Sequence, residues 1–197
     1  GKLAKIANEA KAKGEQAPHY NLCLVSVANT NLFCTEKLLT AEHPEGIPRT
    51  AMPQFSGDPV PGSPADKLPK QENGGVDGAP AFMAHLKSLG IKTTRGVESA
   101  ARLKATQADL VGAKVAGMMT KAGFDPRKKV IFVSRDHYVI DGHHRWAAAV
   151  GLDAADNELG QIKVQVIRVD APISEILHIA NRWTRQFGIA TKSGKAA

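Results

Sequence analysis

From residue 81 onward the chain switches repeatedly between the two hydrophobic periods of regular secondary structure. AFMAHLKSL (81–89) carries apolar residues at helical spacing and meets Gly90, so a helix ending there is predicted. IKTT (91–94) predicts a short strand. ADLVGAKVAGMMTKAG (108–123) predicts a helix, because Leu110, Val111, Val115 and Met118 fall on one face at 3.6 residues per turn. KVIFVS (129–134) and HYVID (137–141) are β-rich runs separated by the tight turn Arg135-Asp136. HHRWAAAVG (143–151) then predicts a helix that Gly151 stops. IKVQVIRVD (162–170) alternates as a half-exposed strand does. PISEILHIANRWTRQFG (172–188) predicts a helix with Pro172 in its first turn and Gly188 at its end. Strands and helices in this order make an α/β core.

The pattern before residue 81 differs. LAKIANEAKAK (3–13) predicts a helix stopped by Gly14, and NLCLVSV (21–27) a strand. Residues 44–80 hold eight of the 11 prolines together with GG, DG and SGD turns, which opposes regular structure and predicts a long irregular arm. Ile47, Met52 and Phe55 interrupt it. Apolar anchors of this kind predict an arm pinned onto a neighbouring surface, or one that grips a protein partner.

Composition narrows the classes. The 197 residues are 43% hydrophobic and 23% charged, enough to bury a real core. No apolar run approaches the roughly 18 residues a membrane helix needs, so a soluble protein without membrane association is expected, cytoplasmic or delivered into a target cell. The chain opens on Gly1, as a processed product or an excised piece of a longer protein would. Net charge is +7, which favours nucleic acid or nucleotides as partners. Cys23 and Cys34 lack CxxC spacing and are read as buried thiols.

The candidate chemistry is concentrated in Asp141-Gly142-His143-His144-Arg145. Gly142 permits both a sharp strand-to-helix turn and close approach by a ligand. Asp141 is placed to cap the helix by accepting from the amide of His143 or His144. The unpaired amides of the first turn and the positive end of the helix dipole then favour an anion, and Arg145 adds a fork of donors suited to two phosphate oxygens. His143 and His144 can donate hydrogen bonds or carry charge. Adjacent histidines on a helix diverge by about 100° and do not chelate one ion together. Trp146 and the alanines after it are core.

GHHRWAA, following a strand and opening a helix, resembles the signature of the ParB/sulfiredoxin superfamily, whose Gly-x-x-Arg turn binds nucleotide phosphates. Sulfiredoxin has Gly-Cys-His-Arg followed by an aromatic and two alanines. Here Gly142, His143, His144, Arg145, Trp146, Ala147 and Ala148 stand in those places, and His143 in place of the reactive cysteine argues against sulfinic-acid repair. Ala113-Lys114-Val115 resembles the Ala-Lys-Val whose lysine contacts ATP phosphate, and LKATQ (103–107) resembles the strand and turn that begin the fold. The resemblance covers about 100–188, and implies a ParB/sulfiredoxin-like domain over 100–197, a small mixed sheet with flanking helices, with residues 1–99 as an extension packed on it.

The resemblance implies an enzyme of the ParB-like nuclease type, cleaving P–O bonds in nucleic acid or a nucleotide, as a toxin or phage-encoded module. Two alternatives stand beside it. The Asp-Gly-His-His-Arg form also occurs in free-serine kinases of this fold, which implies an ATP-dependent phosphotransferase, and a nucleotide-gated binding module without turnover is a third reading. Gly142, His143, His144, Arg145 and Lys114 are the expected phosphate contacts. His144, His143 and Asp141 are the expected catalytic groups, with Mg2+ accompanying a nucleotide triphosphate. Asp109, Asp136, Asp141 and Glu98 are candidates for a base or metal contact. His137 is placed to face the motif, and Arg182 and Arg185 to extend a basic surface.

Overall fold

The structure, a computed structural model, describes residues 20–21, 38–153 and 160–191. The helix expected over 3–13, all but the first residue of the strand expected over 21–27, and both cysteines lie outside them.

Apolar residues at alternate strand positions build a sheet covered on both faces. In chain order the elements are β1 (Tyr20–Asn21), β2 (Ser56–Gly57), β3 (Val76–Asp77), α1 (Ala79–Ser88), β4 (Thr93–Ser99), β5 (Lys104–Ala105), β6 (Asp109–Leu110) and α2 (Gly112–Thr120). They continue with β7 (Ile131–Ser134), β8 (Tyr138–Asp141), α3 (His143–Asp153), β9 (Lys163–Val169) and α4 (Ile173–Phe187). Five strands form one mixed sheet in the order β4-β9-β7-β8-β5. β4 is antiparallel to β9, β9 parallel to β7, β7 antiparallel to β8, and β8 parallel to β5. The mixed α/β architecture expected from the sequence is present. Among the described residues no helix is long and apolar enough to cross a membrane.

One face of the sheet presents Val133, Val139, Val164 and Val166 to α2 and α3, where Val115, Trp146 and Val150 close the core. The other presents Phe132, Ile140, Ile167 and Val169 to α1, α4 and the arm. Period-two alternation divides these residues between two cores. In β9, Val166 and Ile167 are both buried, because the strand lies between β4 and β7 with a core on each side.

The arm is structural. Ile47, Met52 and Phe55 are 5%, 3% and 1% exposed, and Ala65 and Val76 are buried with them. Phe55 stacks on Phe82 with centroids 4.3 Å apart and meets Phe132 and Trp183 edge-on. Three elements therefore close on one aromatic side chain from the arm. The arm's only strands are the two-residue β2 and β3, paired with each other, so its irregularity follows the proline content.

Several expectations shift. Asp109 and Leu110 are not helical; they pair with β1, and α2 begins at Gly112. The strand expected at 91–94 runs instead over Thr93–Ser99 and pairs along its whole length with β9, so the sheet continues across the 99/100 boundary expected between extension and domain. Gly151 does not stop α3, which reaches Asp153, whose carboxylate accepts the amides of Gly160, Gln161 and Ile162. Pro172 caps α4 from outside, and Asp136 accepts the amide of Ile173 at 3.0 Å.

Candidate anion-binding site

β8 hands over to α3 within a single residue. Gly142, at φ +97°, turns the chain, and its carbonyl accepts the first helical bond from Trp146 N–H at 2.9 Å. The capping position is thus Gly142. Asp141 is the last residue of β8, so it is not the N-cap expected from the sequence. A register shift explains where its side chain goes: Val133 pairs with Val139 but Phe132 pairs with Asp141, so Ile140 is an extra residue in β8. Such a bulge re-aims the side chains beside it. Phe132, Ile140 and Asp141 all line one cavity.

Both imidazoles line that cavity, and each spends its Nε2 on backbone amides. His143 is 5% exposed, and its Nε2 accepts the backbone N–H groups of both Thr106 and Gln107 at 3.1 Å. An accepting Nε2 leaves the ring proton on Nδ1. Burial pushes the His143 pKa down to about 3, so the ring is neutral at physiological pH. It is a brace between α3 and the 104–107 segment rather than a cationic phosphate ligand. The cause is helical phase: His143 lies one turn before Trp146 and Ala147, on the face that packs against the sheet. His144 is half-buried, and its Nε2 accepts the N–H of Val111 at 3.0 Å, capping the start of α2. Expected as the first phosphate contact and general acid, it braces the helix that carries Lys114.

Arg145 does face the open space. Its guanidinium folds back over Gly142, Nη2 donates to Val130 O at 3.3 Å, and the buried Nε has no partner. Among the described residues it makes no ion pair with a carboxylate. The cavity beside it measures about 660 Å³ and is lined by Arg145 and Lys114, by Arg49 from the arm, Arg95 from β4 and Lys129 from the loop before β7. Asp141 and Asp77 line it too. Met52, Met83, Phe132 and Ile167 supply an apolar wall.

Burial raises the Asp141 carboxyl above the ordinary 3.8, and Asp77 pushes the same way; the Arg145 charge and the Gly142 amide pull it down. Asp77 caps α1, accepting from Ala79 N–H at 3.0 Å and from the Ser56 hydroxyl at 3.2 Å. Arg49, Arg95, Lys129 and Asp77 were not singled out from sequence, and only Arg49, between the anchors Ile47 and Met52, sits in a pattern that could have drawn notice.

The other candidates lie elsewhere or at the margin. Asp109 accepts the Arg49 amide at 2.8 Å. Asp136 is spent on α4. Glu98 pairs with Arg168 and with His137 Nδ1, and His137 holds a left-handed φ of +69° in the β7–β8 turn, away from the cavity lining. Arg182 and Arg185 are exposed on α4 and do not line it. Among the described residues no three His, Cys, Asp or Glu side chains gather as a metal cage.

Gly142 permits a direct test of this geometry. A Cβ built there would lie 3.0 Å from Arg145 Nη2, and the positive φ disfavours any side chain. Gly142→Ala is expected to cost about 1–2 kcal/mol of stability in urea unfolding. It should also displace the guanidinium from its place over the turn.

No family model, no curated protein and no solved structure matches this chain.

Proposed function

We propose that the chain is a phosphate-binding enzyme of the ParB/sulfiredoxin type that breaks a P–O bond of a nucleotide or of a nucleic-acid strand end. The observation that carries this reading is the convergence of Arg49, Arg95, Lys114, Lys129 and Arg145, from five separate segments, on one cavity beside the Asp141 carboxyl. Five cations against the two carboxylates of Asp77 and Asp141 leave an excess of positive charge that an entering anion would offset. A volume of about 660 Å³ lies in the range of small-molecule clefts, which favours one nucleotide over a continuous duplex.

With the histidines engaged in bracing, proton transfer falls to Asp141. Its raised pKa brings it toward the range useful for a general base. Its carboxylate would take the proton of the attacking water or hydroxyl as that oxygen bonds to phosphorus and the bond to the leaving oxygen breaks. Arg145 and Lys114 offset the charge that develops on the phosphoryl oxygens. Asp77, on the same lining, offers a carboxylate compatible with magnesium that arrives on phosphate oxygens. Bound there, magnesium would supply charge neutralisation. If the attacking group is a small-molecule hydroxyl, the same arrangement is a phosphotransferase, and the apolar wall of Met52 and Met83 gives such an acceptor a surface.

The test uses purified protein with Mg2+ and, in separate reactions, plasmid, single-stranded oligonucleotide and ATP with and without a pool of hydroxylated small molecules. Release of phosphate or nucleotide is expected, and Asp141→Asn should slow it about 10²- to 10⁴-fold while nucleotide still raises the melting temperature. Thermal stabilisation by nucleotide with no turnover in any reaction would leave a binding module instead.

A further inference from the structure

The arm reaches the cavity through Arg49, a residue outside the segment that resembles the superfamily. A guanidinium has five N–H donors, and those that leave bulk water normally find carboxylate or carbonyl partners. Arg49 is half-buried, yet among the described residues its side chain makes no hydrogen bond and no ion pair within 4 Å. Burial lowers its pKa more than the attraction of Asp109 raises it. Arg145, which lines the same cavity from α3, donates from Nη2 to Val130 O and keeps a buried Nε without an acceptor.

The backbone beneath Arg49 is fixed from both sides. Its N–H donates to Asp109 Oδ1 at 2.8 Å, Ile47 O accepts from Ala108 N–H at 2.7 Å, and Ile47 bridges to Gln107. On the other side Asn181 Nδ2 donates to Ala51 O, and Thr184 Oγ1 accepts the amide of Gln54 at 3.1 Å. The same 106–107 segment donates its two amides to His143, two residues before Arg145. Both guanidiniums therefore hang from one hydrogen-bonded frame. Their backbone ordering cost is met on folding, before any ligand arrives.

We propose that Arg49 is a ligand-binding residue of this site, taking one anionic oxygen group of the ligand while Arg145 takes a neighbouring one. The site then selects ligands with two or more linked anionic groups over a single phosphate. This rests on the reading of the cavity as an anion site. The arm then belongs to the binding machinery as well as to the core.

The experiment measures binding of inorganic phosphate, pyrophosphate and tripolyphosphate to the wild type, Arg49→Gln and Arg145→Gln by calorimetry, with the melting temperature of each free protein as the folding control. Because the Arg49 side chain makes no hydrogen bond among the described residues, Arg49→Gln should melt close to the wild type. It is expected to lose about 10- to 100-fold in affinity for pyrophosphate and tripolyphosphate, the worth of a hydrogen-bonded charge, while phosphate affinity stays within about threefold. Unchanged polyphosphate affinity in Arg49→Gln alongside a loss in Arg145→Gln would overturn the role of Arg49 and leave the anion site standing. If none of the three anions binds the wild type, the anion site itself falls, and the role of Arg49 with it.

Discussion

His143→Ala is expected to cost about 3–5 kcal/mol of stability, a large part of the margin of a domain this size. The imidazole is 5% exposed, and its Nε2 serves the amides of both Thr106 and Gln107. Removal strands two buried donors at about 1–3 kcal/mol each, on top of the void left by the ring. His143→Gln, whose side-chain oxygen can stand near the Nε2 position, should recover a large part of the loss.

Acid should expose the same group. The folded pKa of His143 is about 3 against an ordinary 6.5, so between those values the unfolded chain binds a proton that the fold excludes. Its contribution is fully present above pH 6.5 and falls away by about 1.4 kcal/mol per pH unit below it. Asp141 has the opposite sign. Its pKa is raised in the fold, so over the range above 3.8 the fold keeps a proton that the unfolded chain has released, and stability falls as pH rises there. Urea midpoints of wild type and His143→Gln from pH 7 to pH 4 separate the two. The acid slope between pH 6.5 and 4 is expected to be shallower in the variant, and equal slopes would contradict the buried neutral imidazole.

The inward turn of His143 was legible in principle. Three and four residues separate it from Trp146 and Ala147, which any reading of HHRWAAAV assigns to the core, so the helical period alone directs it to the sheet. Reading the motif by residue chemistry put all its polar groups outside; reading it by phase would have turned His143 inward and left His144 and Arg145 nearer the surface. The strand-to-helix turn was legible because Gly142 is required at φ +97°. Most elements after residue 81 were legible through periodicity, within a few residues at their ends. Lys114 was legible only through resemblance, since nothing in the local period of α2 marks it.

What stayed hidden depends on tertiary pairing. The extra residue Ile140 that aims Asp141 at the cavity is a mismatch between two strands, and neither strand alone records it. Arg95 reaches the site because β4 pairs with β9, some seventy residues away. The arm's proline content forecast irregularity but not the destination of Phe55 among Phe82, Phe132 and Trp183, and so not the arrival of Arg49 and Asp77 beside the motif.

Arg145→Ala should behave in the reverse way to His143→Ala, although only two residues separate them. The guanidinium makes one bond of 3.3 Å to Val130 O, and its buried Nε is unsatisfied, so truncation removes little that holds the fold. The change in unfolding free energy is expected to stay within about 1 kcal/mol. Under the proposed function, affinity and turnover carry the loss instead. An arginine aimed at a phosphoryl group in a half-enclosed site supplies paired charge-assisted hydrogen bonds, and its removal is expected to lower turnover about 10²- to 10³-fold. Arg145→Lys should recover little of this, because an ammonium offers a point charge where the site holds a planar fork. The decisive measurement is the ligand-dependent rise in melting temperature with a nucleotide triphosphate and Mg2+. Wild type and His143→Gln should both show it, from different starting temperatures, while Arg145→Ala starts near the wild type and barely moves. If Arg145→Ala keeps the full rise, the cations around this cavity do not hold a phosphate at the start of α3.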